Sequence, residues 1–218
     1  MGTILSVNLA VPEVSSAKTV GITGINKQPV EGPVPVRAPG PKTTGLGSGL
    51  IGDQVFDVAH HGGDDQAVYA YAREDYDWWE AELGRTLSGG IFGENLTTVG
   101  LDVNGAIIGE TWRIGAELVL QTTFGRIPCA TFQAKMAEPQ WLKRFTREAR
   151  PGAYLRVVEP GEVRAGDEVR VLHRPSHGVS IAEGFRAWML EPELLPRLLE
   201  ADEVPESMKE QVRQRLSR

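Results

Sequence analysis

The sequence predicts a mainly β, barrel-like fold with interspersed helices and a small C-terminal three-helix appendage. Three observations lead there. Glycine and proline are frequent, 25 and 14 in 218 residues, and they punctuate short apolar alternations the way tight turns separate strands. Period-two alternation recurs at Leu118, Leu120, Thr122 and Phe124, over Tyr154 to Val158, and at Val169 and Val171, which is the signature of half-buried strands. After Pro175 the alternation gives way to helical spacing. That change divides the chain into a barrel-like domain over residues 1–175 and a helical module over residues 176–218.

Element by element, Ile4 to Val11 reads as a first strand. The formal lipidation pattern in Met1-Gly2-Thr3-Ile4-Leu5-Ser6 is short enough to arise by chance. Val30 to Gly49 shows neither periodicity and predicts a long loop or an extended edge. Glu74 to Leu83 presents Tyr76, Trp79 and Leu83 at helical spacing and stops at Gly84. Pro139 to Glu148 opens on a proline suited to a first helical turn, buries Trp141, Leu142 and Phe145, and turns Lys143, Arg144 and Arg147 outward. Arg164-Ala165-Gly166-Asp167 reads as a hairpin turn before Val169. Ser180-Ile181-Ala182-Glu183 is a capping box that opens the first tail helix. The second follows Pro192 with Leu194, Leu195, Leu198 and Leu199, and the third follows Pro205 with Met208, Val212 and Leu216.

Composition narrows the function classes. A net charge of -6 and a pI near 5.3 argue against general nucleic-acid binding, which needs a basic face. No apolar run approaches the roughly 20 residues that cross a bilayer, so no membrane partner is expected. A single cysteine forbids an intrachain disulfide, and the N-terminus lacks the order of a signal peptide. The expected compartment is cytoplasmic.

Charge is unevenly placed. From Pro41 to Gly125 four Lys/Arg face thirteen Asp/Glu, whereas from Arg126 to Arg174 ten Lys/Arg face six Asp/Glu. Cys129, in Arg126-Ile127-Pro128-Cys129, stands at the head of the cationic stretch. A lone cysteine is most often a small buried apolar residue, but here a proline fixes the preceding backbone and an arginine stabilises thiolate. Thiolate is the metal-binding form, and guanidinium is a planar fork for phosphate. The pairing suggests an anionic, metal-bearing or phosphorylated ligand.

Three other constellations carry weaker signals. Asp53, Asp57, His60, His61, Asp64 and Asp65 surround Gly62-Gly63 without a recognised metal-binding spacing. A glycine turn with aspartates capping backbone amides ranks above a metal site there, and the glycine pair also lets a ligand approach the backbone beside His61. Gly93-Glu94-Asn95-Leu96-Thr97-Thr98 could read a heterocycle edge or bind phosphate, or serve as a turn. Arg144, Arg147 and Arg150 form a charged run whose bland reading is a solvated helix face.

The ordered succession Gly49-Leu50-Ile51-Gly52-Asp53, His61-Gly62-Gly63-Asp64-Asp65, Ala67-Val68-Tyr69-Ala70-Tyr71, Phe92-Gly93-Glu94-Asn95-Leu96-Thr97, Arg126-Ile127-Pro128-Cys129 and Gly152-Ala153-Tyr154 resembles the MOSC family. More narrowly, it is similar to the bacterial stand-alone MOSC proteins linked to detoxification of N-hydroxylated bases. The resemblance spans about Lys27 to Asp167, and the tail resembles the three-helix module of that subgroup. It implies a barrel-like β fold and a molybdenum cofactor (molybdopterin) whose metal is ligated by Cys129. It further implies that Lys27 meets the cofactor phosphate, that Asn95 and Thr97 line its pterin, and that Arg126 pairs with an anionic oxygen. His61, at the glycine pair, joins this cofactor-binding set. Many relatives carry Arg where this chain has Gln54.

The resemblance implies a molybdenum-dependent oxidoreductase that reduces N-hydroxylated substrates, such as N-hydroxylated purines. Its electrons would come from a separate electron-donor protein, because one cysteine builds no iron–sulfur cluster and no dinucleotide-binding fingerprint follows a strand. The alternative is a carrier in which Cys129 holds sulfur as a persulfide, or the cofactor itself. A third reading gives the helical tail to docking a reductase or closing a homodimer; its eight Asp/Glu against six Lys/Arg from Ser176 onward argue against DNA binding there.

Overall fold

The computed structural model describes residues 1–217; Arg218, the last residue of the predicted tail, lies outside them. Twelve strands occur, β1 Gly2–Ala10, β2 Glu13–Val14, β3 Ile22–Thr23, β4 Lys27–Val30, β5 Val34–Val36, β6 Val68–Ala72, β7 Leu96–Val99, β8 Thr111–Ile114, β9 Leu118–Phe124, β10 Ala153–Glu159, β11 Gly161–Val163 and β12 Glu168–His173. The α-helices are α1 Arg73–Leu83, α2 Ala130–Met136, α3 Trp141–Glu148, α4 Ile181–Met189 and α5 Glu206–Leu216, with short 3₁₀ segments at Asp64–Gln66 and Pro192–Leu199.

The main sheet runs β12-β8-β9-β10-β6-β7-β1, and β12 returns to β1 through Gly2–Val169 and Thr3–Glu168, so seven strands close a barrel. Closure removes the free edges that an open sheet would expose. β4 extends the same sheet outside the ring, on the far half of β1. All main-sheet pairings are antiparallel except β6 with β7, and α1 is the crossover that this parallel pair requires.

The predicted strands at Leu118–Phe124, Tyr154–Val158 and Val169–Val171 are β9, β10 and β12, and the first strand is β1. The Arg164–Asp167 turn is not a hairpin. It joins β11 to β12, which pair with β5 and with β8, because β10 already has β9 and β6 on its two edges. The Val30–Gly49 segment contains β5, which lies outside the barrel ring and pairs with β11 and, through a bridge from Val36, with Leu50. The helix predicted from Pro139 begins at Trp141, since Gln140 just before it has left-handed geometry, φ 52°.

In the tail, Ser180 Oγ accepts from the Glu183 amide at 3.1 Å, as the capping box predicts. The segment after Pro192 is 3₁₀ because Pro196 lies within it and cannot donate to an α-helical ladder. Ile181, Leu195, Leu198, Val204 and Val212 are buried in the same apolar core as Ile4, Leu120 and Phe124 of the barrel. Among the described residues, no helix is long and apolar enough to cross a membrane.

A second core, aromatic in character, supports the cysteine. Phe132 packs edge-on against Phe92, Trp141 and Phe145 at centroid separations of 5.1, 5.4 and 5.0 Å. This cluster fixes α2, and with it the residue at the helix start, Cys129.

Candidate functional site

The chain leaves the barrel at Phe124, passes Arg126-Ile127-Pro128, and reaches Cys129 at the N-cap of α2. The thiol is half-buried, open to solvent on one side. Burial pushes its pKa up, but His61, the Arg126 guanidinium and the Phe132 amide more than offset that and bring it down from 9.0 to about 6. At neutral pH the sulfur is therefore thiolate, the nucleophilic and metal-binding form.

Arg126 is buried and held in place from three sides. Its guanidinium lies 4.1 Å from the Phe132 ring centroid and 5.5 Å from that of Tyr69, and Nη1 donates to the Phe92 carbonyl oxygen. Its Nε is buried with no hydrogen-bond partner, a donor whose desolvation is uncompensated. Gly93 makes this placement feasible. It has φ 80°, and a Cβ there would stand 3.3 Å from Arg126 Nη1 and 3.0 Å from Ile25 Cγ1.

Opposite the cysteine, Asp53 organises the far wall. Its carboxylate accepts from Lys27 Nζ at 2.5 Å, Ser48 Oγ at 2.7 Å, the Ala10 amide at 2.9 Å and Asn95 Nδ2 at 2.9 Å. Burial opposes its ionisation, but Lys27, Ser48 and Asn95 hold the pKa below the ordinary carboxylate value. Burial in turn lowers the Lys27 pKa, against the pull of Asp53. His61 comes from the loop that follows Asp57, where Lys18 pairs with Asp57. Gly62, at φ 81°, lets this loop turn against Gly47, whose carbonyl oxygen would lie 2.7 Å from a Cβ.

These side chains line a narrow inner cleft of about 110 Å³. Of the six residues singled out from sequence, Cys129, Lys27, His61, Asn95 and Arg126 meet there. Thr97 does not. It lies on β7, accepts from Asn8 Nδ2 at 3.0 Å and donates to Glu94 Oε1 at 2.8 Å, with Gly89 closing over its hydroxyl, so it is part of the wall's backing. Gln54 lines the cleft and gives it an uncharged amide. The run of Arg144, Arg147 and Arg150 is absent from the cleft; these residues pair with Glu138, Glu148 and Asp75. Within the Asp53–Asp65 segment, Asp53 and Asp64 accept from the Ala10 and Gly40 amides, whereas Asp57 and Asp65 pair with Lys18 and Arg156.

Sequence reasoning passed over Asp53 as a cleft residue, along with Tyr69 and Tyr154. Asp53 reaches Lys27 and Asn95 across 26 and 42 residues, separations that no local spacing reveals. A larger outer groove of about 860 Å³ adjoins the cleft, and His61, Cys129 and Tyr154 line both.

The MOSC domain profile matches residues 57–170, just over half of the chain. This chain belongs to the MOSC domain family. An uncharacterised protein of Bacillus subtilis, YflK, is 34% identical over 179 residues, covering 82% of this chain and 76% of YflK. A protein of Gibberella moniliformis named as a reductase is 31% identical over 156 residues; the match spans 70% of this MOSC chain but only 26% of that longer protein. In structure the chain resembles YiiM of Geobacillus stearothermophilus, with TM-score 0.78, 25% identity, and coverage of 99% of this chain and 100% of YiiM. The closed barrel with its helices is thus the MOSC fold in its YiiM-type form.

Proposed function

We propose that this MOSC protein is an oxidoreductase that binds the molybdenum cofactor and reduces N-hydroxylated substrates with electrons from a partner protein. The observation that supports this most is a half-buried thiolate at Cys129, set among cations in a cleft that leaves the buried Arg126 Nε without a partner. A soft sulfur donor suits a high-valent metal, and unpaired buried donors suit an anionic group. Cys129 would ligate the metal. Arg126 and Lys27 would meet anionic oxygens, Lys27 using donors left over from its single bond to Asp53, while Asn95 would be held edge-on by Asp53.

When bound, the cofactor supplies two-electron chemistry that takes up an oxygen atom. The chain's own task is then positional and protonic. Reduction of an N–OH group to N–H consumes two electrons and two protons and releases water. His61, which lines both cavities beside Cys129, would relay protons from solvent to the departing oxygen. The aromatic core behind α2 holds the sulfur in one position, as a metal ligand requires.

The test is metal analysis of protein made in a cofactor-competent host, paired with turnover of an N-hydroxylated purine by an artificial reductant. Stoichiometric molybdenum with turnover, both lost in Cys129→Ser, is the expected result. Stoichiometric metal without turnover on any N-hydroxylated base would favour the carrier reading instead. A Cys129→Ser protein with full metal and activity would sink the assignment.

A further inference from the structure

The outer groove has a different chemistry from the cleft it adjoins. On the barrel side it is walled by Phe124, Ile127 and Pro128, and on the other side by Trp188 of α4 and by Met208 and Gln211 of α5. Both walls are mostly apolar, with the Ser207 hydroxyl and the Gln211 amide exposed on the tail side. The charged side chains that line the groove all have hydrogen-bonding partners within the chain. Lys18 pairs with Asp57, Asp65 with Arg156 at 2.7 Å, Asp64 accepts from the Gly40 amide at 2.8 Å, and Lys42 Nζ donates to the His60 carbonyl at 3.1 Å. The inner cleft, by contrast, presents Arg126, whose Nε has no partner. An anion is favoured inside and an uncharged ligand outside.

Trp188 is held against α5 by Arg215. The Arg215 guanidinium covers the indole at 3.7 Å from its ring centroid, and Arg215 Nη1 donates to the Trp188 carbonyl at 2.9 Å, yet Arg215 lies outside the groove. The ring is thereby fixed without filling the groove. A rigid aromatic face, an adaptable thioether and an apolar floor form a surface on which planar rings stack. The volume of about 860 Å³ lies within the range of small-molecule sites. Because Cys129, His61 and Tyr154 line both cavities, a ring in the groove would bring its substituent to the thiolate.

We infer that the groove between barrel and tail is the binding site for an uncharged heteroaromatic ring, and that the tail residues Trp188 and Met208 determine which rings enter. This deepens the reductase reading and rests on it for the identity of the ring's substituent. The tail is then part of the substrate site as well as a cover for the barrel core.

The test is equilibrium dialysis of the metal-free full-length chain against 6-N-hydroxylaminopurine, with metal content measured separately on cofactor-loaded protein. Loss of one stacking face is expected to weaken binding about tenfold or more in Trp188→Ala, and Trp188→Phe, which keeps a flat face, should retain most of the affinity. Since Trp188 packs partly against the core, Gln211→Trp provides a second probe from an exposed position; it should obstruct the groove and weaken binding comparably without disturbing the fold. Molybdenum content should be unchanged in all three. The proposal is overturned if the wild-type chain does not bind the base, if Gln211→Trp binds it normally, or if the variants lose metal instead of base. Binding that follows this pattern in a protein that reduces nothing would leave the groove assignment standing and remove the reductase reading.

Discussion

Lys27 Nζ stands 2.5 Å from Asp53 Oδ1, and both side chains are almost entirely shut off from water, at 8% and 1% exposure. Removing one member of such a pair strands a buried charge, so Asp53→Ala is expected to lower the unfolding free energy by about 3–5 kcal/mol. The double substitution Lys27→Met with Asp53→Leu should recover most of it. Urea unfolding of the wild type and the two variants measures both. A loss in Asp53→Ala below about 1 kcal/mol would mean the pair behaves like a surface contact. The pH dependence has a definite sign. Asp53 is held below its ordinary value of 3.8, so its contribution is full above that pH and is lost as the pH falls through the lower folded-state value.

Cys129 titrates near 6 in the folded chain, against an ordinary value of 9.0. In metal-free protein the rate of alkylation by iodoacetamide should therefore rise to half its plateau near pH 6. His61→Ala should move that midpoint upward, because His61 leads the influences that counter burial. A depressed acid favours the folded state where it is ionised. The thiolate thus adds stability that is complete above pH 9, declines as pH falls and is gone below about 6. An alkylation midpoint that stays near 9 in the wild type would contradict the environment described.

Arg126 and Lys27 are expected to retain the cofactor by charge. Each charge-assisted hydrogen bond is worth about 1.5–3 kcal/mol, so Arg126→Ala and Lys27→Ala should purify with less molybdenum and near-normal turnover per remaining metal. Arg126→Lys should not restore occupancy fully, because a point charge replaces the fork that stacks on Phe132 and bonds the Phe92 carbonyl. Full occupancy with lost turnover would place these residues in the reaction itself.

What the sequence revealed followed the reach of its signals. β9, β10 and β12 carry alternation and were legible, as were α1, with its stop at Gly84, and α4, with its capping box. β6 was not, because Val68 to Ala72 are all buried and leave no polar face to alternate with. The short α2 was hidden for a related reason. Its seven residues bury Phe132 and Met136 but are too few to establish a helical period. In the site, Cys129 and Arg126 were legible because they are three residues apart and chemically distinctive. Asp53, whose partners come from β1, β4 and the segment before β7, becomes visible only when the barrel brings those strands together. The groove, built from α4 and α5 against the exit of β9, depends on tertiary packing in the same way.

The division at Pro175 predicts how the two cavities respond to truncation. Among the described residues none beyond Tyr154 lines the inner cleft, whereas the outer groove takes Trp188, Met208 and Gln211 from the tail. A chain ending at Pro175 would bare the surfaces that Ile181, Leu195 and Leu198 cover, including Ile108 and Phe124 against Gly184, so its solubility should fall. If it still folds, judged by a cooperative thermal transition, it should keep bound molybdopterin and the low alkylation midpoint of Cys129 while losing affinity for 6-N-hydroxylaminopurine. Cofactor loss from a folded truncated chain would show that the tail helps to build the inner cleft, and the boundary at residue 175 would then have no functional meaning. Retained affinity for the base would instead place the ring on the barrel wall alone, with Phe124, Ile127 and Pro128 sufficient to hold it.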